Sequence, residues 1–310
     1  MRPVLRSALF VLACSLTLGA CSRAGSRAET RRVIYGTDDR REFFDVADPA
    51  LRETVGSSVA LVEARRMREA EELGKGWFRV EGPVYGEMDR LCEGEPFREQ
   101  RSLAFCSGVL VAPDVVLTAG HCVPNLASCR LTRFVFGLRD EGGKRPVGEV
   151  PGSDVYHCAD ILDRSEPHAE EAPELMDYAL VVLNRPVRGH PVARPGKAFA
   201  LQAGAAVAMA GYPRGIPLKV AEGRLRYVNE SRSLVIAELD AYHSNSGSPV
   251  YDRASGELIG IVVDGEDDFV EAGGCRRSKI CAPGTCRGET LTPIEKIPAN
   301  YWRVTTKSWL

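Results

Sequence analysis

Residues 105–122 read FCSGVLVAPDVVLTAGHC. Two short apolar runs, one ending at Ala112 and one beginning at Val115, are split by Pro113-Asp114. Proline and aspartate favour a turn, so the stretch predicts a β-hairpin. Comparable short runs lie at residues 58–63, 131–137, 178–183, 205–210, 218–221, 224–229, 233–239 and 258–263. Many short strands broken by Gly and Pro predict an all-β barrel or sandwich. One short helix is expected after Asp48, which suits an N-cap with Pro49 at the first helical position. Residues 64–100 and 139–175 are charged and poorly periodic, and they read as surface insertions. The first is expected to be partly helical over ARRMREAEEL, residues 64–73. Residues 191–196 read as a linker between two halves, and the chain shows no sequence repeat.

The 310 residues are 44% hydrophobic and 26% charged. That composition allows a large core and excludes a disordered, fibrous or polytopic chain. A formal net charge of −2 gives no pull toward nucleic acid, and no nucleic-acid partner is expected.

The amino terminus predicts export. Arg2 and Arg6 precede an apolar run over residues 8–20, too short for a stable membrane span. The run ends in Leu18-Gly19-Ala20-Cys21, which resembles a bacterial lipobox. Residues 1–20 are thus expected to be a signal peptide, Cys21 a lipidation site, and residues 21–32 a flexible tether. No other membrane attachment is expected. The cell envelope, by lipid anchor or after release, is the predicted location.

Of ten cysteines, Cys14 leaves with such a signal and Cys21 would carry lipid. The other eight read as up to four disulfides, as expected of an exported chain. Cys275, Cys281 and Cys286 are spaced C-x5-C-x4-C and lack the paired knuckles of a structural zinc site, so no metal is predicted.

Three segments carry candidate chemistry: Phe105-Cys106-Ser107-Gly108 with Leu117-Thr118-Ala119-Gly120-His121-Cys122, then Asp177-Tyr178-Ala179-Leu180, then Asn245-Ser246-Gly247-Ser248-Pro249-Val250. A serine hydroxyl needs a neighbouring base to become a nucleophile at neutral pH. An imidazole suits that task and can return the proton to a leaving amine. A carboxylate must fix the imidazole tautomer. Two backbone N–H groups must face the developing oxyanion, which demands an unusual turn that adjacent glycine permits.

These three segments, in this order, resemble the signatures of the trypsin/chymotrypsin superfamily of serine endopeptidases. Asn245-Ser246-Gly247-Ser248-Pro249, Val33-Ile34 with Asp38-Asp39-Arg40, and Gly211-Tyr212-Pro213 resemble the bacterial glutamyl endopeptidase branch. The resemblance covers residues 33–290, insertions excepted. It implies two perpendicular six-stranded antiparallel barrels with the active site between them. Residues 33–190 would hold the N-terminal segment and first barrel, and residues 191–310 the second barrel and C-terminal segment. It implies His121, Asp177 and Ser246 as a catalytic triad and the amides of Ser244 and Ser246 as the oxyanion hole. A polypeptide substrate, no cofactor and a monomer are expected.

The resemblance also implies a Cys106–Cys122 disulfide closing the histidine loop. Cys129–Cys158 is the expected second pair, which leaves Cys92 for one of the three C-terminal cysteines. Two departures stand out. Ser244 replaces a usual glycine. In the specificity pocket, Val262 and Ala241 replace the histidine and hydroxyl that would bind a substrate glutamate, so that specificity is not expected. Asp240, six residues before Ser246, is a candidate for selecting basic residues, as is Asp264. Cleavage before Val33, which follows Arg31-Arg32, would release the domain from its anchor. The rival reading is a catalytically impaired relative that binds peptides at the envelope.

Overall fold

A computed structural model describes residues 34–166, 176–282 and 285–298. The expected signal, Cys21, the tether and Val33 lie outside these residues.

Twelve strands build two barrels. In the first, β1 (Ser58–Glu63), β2 (Cys106–Ala112), β3 (Val115–Thr118), β4 (Thr132–Phe136), β5 (Val155–Ser165) and β6 (Tyr178–Leu183) close in the order β1-β2-β3-β6-β5-β4. In the second, β7 (Ala206–Gly211), β8 (Lys219–Asn229), β9 (Leu234–Glu238), β10 (Pro249–Asp252), β11 (Leu258–Asp264) and β12 (Glu289–Pro293) close as β7-β8-β9-β12-β11-β10. The cyclic order is the same in both, so the halves share one topology that the sequence does not display as a repeat. Closure leaves neither sheet an open edge.

The opening hairpin forms as read. Gly108 faces Thr118 and Leu110 faces Val116, with the chain reversing at Pro113-Asp114. Every residue of β2 and β3 is buried. Their near-continuous apolar runs therefore suit strands covered on both faces. The short helix α1 (Pro49–Val55) also forms where expected: Asp48 Oδ1 accepts from the Ala50 amide at 2.9 Å.

The insertions depart from expectation. Residues 64–73 form no α-helix: two 3₁₀ turns, Ala64–Arg66 and Glu71–Leu73, flank the strand Met67–Glu69, which pairs with Trp77–Val80, and that strand pairs in turn with Glu149–Pro151 from the second insertion. Partners distant in sequence outweigh local helix propensity here. Residues 139–175 are not wholly surface loop either, because Val155–Ser165 is the long barrel strand β5. Its first half buries Val155, Tyr156 and Cys158, while its charged second half pairs with β6. The runs 218–221 and 224–229, expected as two strands, are joined in the single strand β8, Lys219–Asn229.

Among the described residues four disulfides are present: Cys92–Cys275, Cys106–Cys122, Cys129–Cys158 and Cys281–Cys286. Such density is the mark of an exported chain. Among the described residues no helix is long and apolar enough to cross a membrane. The N-terminal segment joins the second barrel, although the first follows it in sequence: Arg41–Glu42 pairs with β8, and Ile34–Tyr35 runs parallel to Ile280–Cys281.

Candidate active site

His121 sits in a single 3₁₀ turn, Gly120–Cys122, directly after β3. Its neighbour Cys122 is bonded to Cys106 at the start of β2, which ties the turn to the hairpin. Asp177 immediately precedes β6, the partner of β3. This strand pairing brings the two side chains together. The imidazole Nδ1 lies 2.5 Å from Asp177 Oδ2, and the His121 amide donates to Oδ1 at 3.1 Å. A carboxylate can only accept, so in the neutral imidazole the proton belongs on Nδ1 and the lone pair on Nε2. Two contacts from one carboxylate fix both the ring and its backbone.

Asp177 is itself held from the other barrel. The Thr292 hydroxyl on β12 donates to the Asp177 carbonyl at 2.9 Å and accepts from its amide at 3.2 Å. Nothing in the local sequence of Thr292 signals this role. Gly120 is required beside the histidine because an added Cβ would stand 2.2 Å from the Ser165 carbonyl and 2.9 Å from Asp177 Oδ1.

Ser246 stands in a tight turn ahead of β10. The turn is gripped from both barrels. From β2, the Ser107 amide donates to the Ser246 carbonyl at 2.8 Å, and the Ser107 hydroxyl donates to the Ser244 carbonyl at 3.0 Å. From β11, the Val262 carbonyl accepts from the Gly247 amide at 2.7 Å. Cys122 Sγ is 3.8 Å from the Ser246 carbonyl oxygen, which places the Ser246 turn beside the histidine turn. Nothing about Ser107 itself marks this role in the sequence. Its neighbours in Phe105-Cys106-Ser107-Gly108 were the only signal.

Ser244 has φ +74°. It adopts the left-handed conformation that glycine would supply freely, at a cost of about 1–2 kcal/mol for a residue with a Cβ.

The specificity candidates fare differently. Asp240 is not a pocket base. It is 3% exposed, its Oδ1 accepts from the Tyr35 amide at 2.7 Å, and its Oδ2 accepts from the Asp39 amide at 2.9 Å. It clamps the N-terminal segment instead. Ala241 and Val262 are wholly buried, and Val262 holds the Ser246 turn through its backbone. Asp264 is half-buried, 3.5 Å from Arg287. His243 is exposed, but its amide is held by Asp268.

One grouping of three potential metal ligands occurs among the described residues, Cys106, His121 and Cys122. The two thiols are already joined to each other.

The Asp240 clamp has a measurable signature. Burial raises its carboxyl to about 7, with Asp39 and Asp38 adding to the shift and the two amides opposing it. A group whose folded pKa is raised stabilises fully below its unfolded pKa, and that contribution is lost as pH climbs to the folded value. Relative to wild type, Asp240→Asn should therefore gain unfolding free energy as pH rises from 4 to 7 and level off above 8. Chemical denaturation across that pH range checks it. A difference independent of pH contradicts it.

A family model for the trypsin-like peptidase domain matches residues 106–261. No curated protein matches the chain. Among solved structures, a Glu endopeptidase in complex with MPD is similar at 17% identity and TM-score 0.47, over 80% of this chain and 94% of that one. The Vibrio cholerae VesB protease is similar at 17% identity and TM-score 0.47, over 87% of this chain and 66% of that one. The matched span runs from β2 through the Ser246 turn into β11 and covers just over half of the chain, and the chain belongs to the trypsin-like peptidase domain family.

Proposed function

We propose that the chain is a serine endopeptidase with His121, Asp177 and Ser246 as its triad. The observation that carries this reading is the His121–Asp177 pair, with Nδ1 and the backbone amide on one carboxylate and the Ser246 turn packed against the adjoining cysteine. His121 Nε2 takes the proton of Ser246 as its Oγ attacks a peptide carbonyl. His121 then delivers that proton to the leaving amine, and an acyl-enzyme remains. Water, deprotonated by His121, attacks the ester, and the returning proton restores Ser246.

The amides of Ser244 and Ser246 hold the oxyanion in both steps. The left-handed backbone at Ser244 favours this reading over an impaired relative, since the conformation a glycine would adopt is retained despite its cost. The substrate is a polypeptide, and the enzyme acts as a monomer at the cell envelope. It is anchored there through Cys21 after removal of residues 1–20, or released by cleavage before Val33.

Digestion of a mixed peptide library by the purified protein, with products identified by mass spectrometry, tests the reaction. Internal cleavage that disappears in Ser246→Ala is expected. Ester hydrolysis without any peptide cleavage would overturn the endopeptidase assignment.

A further inference from the structure

We propose that the first insertion braces the nucleophile turn, with Asp89 acting through Arg214 and Asp268 as a positioning residue for Ser246. The proposal rests on the reading of Ser246 as the nucleophile.

The insertion does not simply decorate the surface. Its residues 90–92 extend the hairpin formed by Phe269–Ala272 and Cys275–Ser278: the Cys92 amide donates to the Arg276 carbonyl at 3.0 Å, and the Arg276 amide donates to the Arg90 carbonyl at 2.9 Å. The Cys92–Cys275 disulfide fastens this junction across 183 residues of sequence. Glu95 adds two contacts, accepting from the Ser278 amide and hydroxyl at 3.1 and 2.6 Å. A small apolar cluster fills the space beneath. Tyr85 and Leu91 of the insertion pack there with Phe269 of the hairpin and Tyr242, which lies four residues before Ser246.

A chain of charges links the insertion to the turn. Asp89 takes the Arg214 guanidinium through two bonds, Nε at 2.8 Å and Nη2 at 2.5 Å. Arg214 Nη1 lies 3.4 Å from Asp268 Oδ2. Asp268 accepts the His243 amide on both oxygens, at 3.0 and 3.1 Å. The backbone amide of Arg214 donates to the His243 carbonyl at 2.6 Å. The residue just before the strained Ser244 is therefore gripped at both its amide and its carbonyl. Asp89 and Asp268 side chains are 4% and 7% exposed.

A two-point Arg–carboxylate contact sets angle as well as distance. A residue held in the left-handed region persists only when its surroundings over-determine it. With Asp89 neutralised, Arg214 would face one carboxylate fewer and could turn away, loosening both grips on His243.

The test compares fluorophosphonate labelling rates, together with kcat and KM on a peptide substrate, for the full chain. The variants are Asp89→Asn, Arg214→Lys, and Glu72→Gln, which cuts an exposed ion pair with Arg79 in the outer part of the same insertion. All are measured well below their unfolding temperatures. Asp89→Asn and Arg214→Lys are expected to label at least about tenfold more slowly, as misplacement of a reacting group costs rate. Their kcat should fall while KM stays within about twofold, because the loss is confined to the reacting geometry. Glu72→Gln should match wild type. Labelling of both brace variants at the wild-type rate overturns the proposal, as does a loss that only tracks the fraction of unfolded protein. Folded wild type that takes no label overturns the reading of Ser246 as well, so the two failures are distinguishable.

Discussion

Replacing Asp177 by asparagine should slow peptide hydrolysis by about four orders of magnitude, the cost of a wrong histidine tautomer in a triad of this kind. The structure gives the reason atom by atom. Asp177 accepts twice from His121, on Oδ1 from the backbone amide and on Oδ2 from Nδ1. Asparagine has one accepting oxygen. If that oxygen keeps the backbone amide, its NH₂ group points at Nδ1 and donates there. The imidazole proton then moves to Nε2, where a lone pair is needed to take the serine proton. The Thr292 contacts run through the Asp177 main chain, so they survive the exchange. The expected result is a folded protein with an unchanged unfolding temperature, within about 2 °C, and almost no turnover. Turnover within tenfold of wild type would contradict the assigned role.

The second large effect is structural in origin. Gly247→Ala should destabilise the protein by about 4 kcal/mol, at the severe end for one substitution, and remove activity with it. Gly247 has φ +84°, and a Cβ there would stand 2.1 Å from the Ser107 carbonyl oxygen and 2.4 Å from Thr118 Oγ1. Both obstacles belong to paired strands of the first barrel, β2 and β3, and the Thr118 hydroxyl is already committed to that same carbonyl at 2.6 Å. Relief requires the nucleophile turn to lift off the first barrel, which breaks the Ser107–Ser246 hydrogen bond. Gly273→Ala is the matched comparison: φ is +65° with nothing within 4 Å, so it reports the backbone cost alone, about 1 kcal/mol. Thermal unfolding of both variants decides the matter. Equal losses would mean that contact with the first barrel does not constrain the turn.

What the sequence displayed and what it concealed divide along the range of the interactions. The hairpin at Pro113-Asp114 and the Asp48 cap of α1 depend on near neighbours, and they read correctly from short stretches. Strand β5 did not. Its charged second half lacks a clean alternation, and its place in the barrel depends on β4 and β6. The sheet joining the two insertions was likewise hidden, because Phe78 pairs with Val150 across some seventy residues.

Asp240 shows the same limit at the site. Its spacing before Ser246 suited a pocket base. Its actual partners, the Tyr35 and Asp39 amides, are about two hundred residues away in sequence and docked by a segment that belongs spatially to the second barrel. Thr292 holds Asp177 through one hydroxyl, and Ser107 holds the Ser246 turn through its hydroxyl and amide; such residues leave no pattern in a lone sequence.

The most direct test of the central claim is to treat the purified full chain with a fluorophosphonate probe and locate the adduct by mass spectrometry. A single phosphonylated residue, Ser246, is expected, with labelling abolished in Ser246→Ala and reduced to background in His121→Ala. Folded protein that takes no label, or an adduct on another residue that persists in Ser246→Ala, would contradict it.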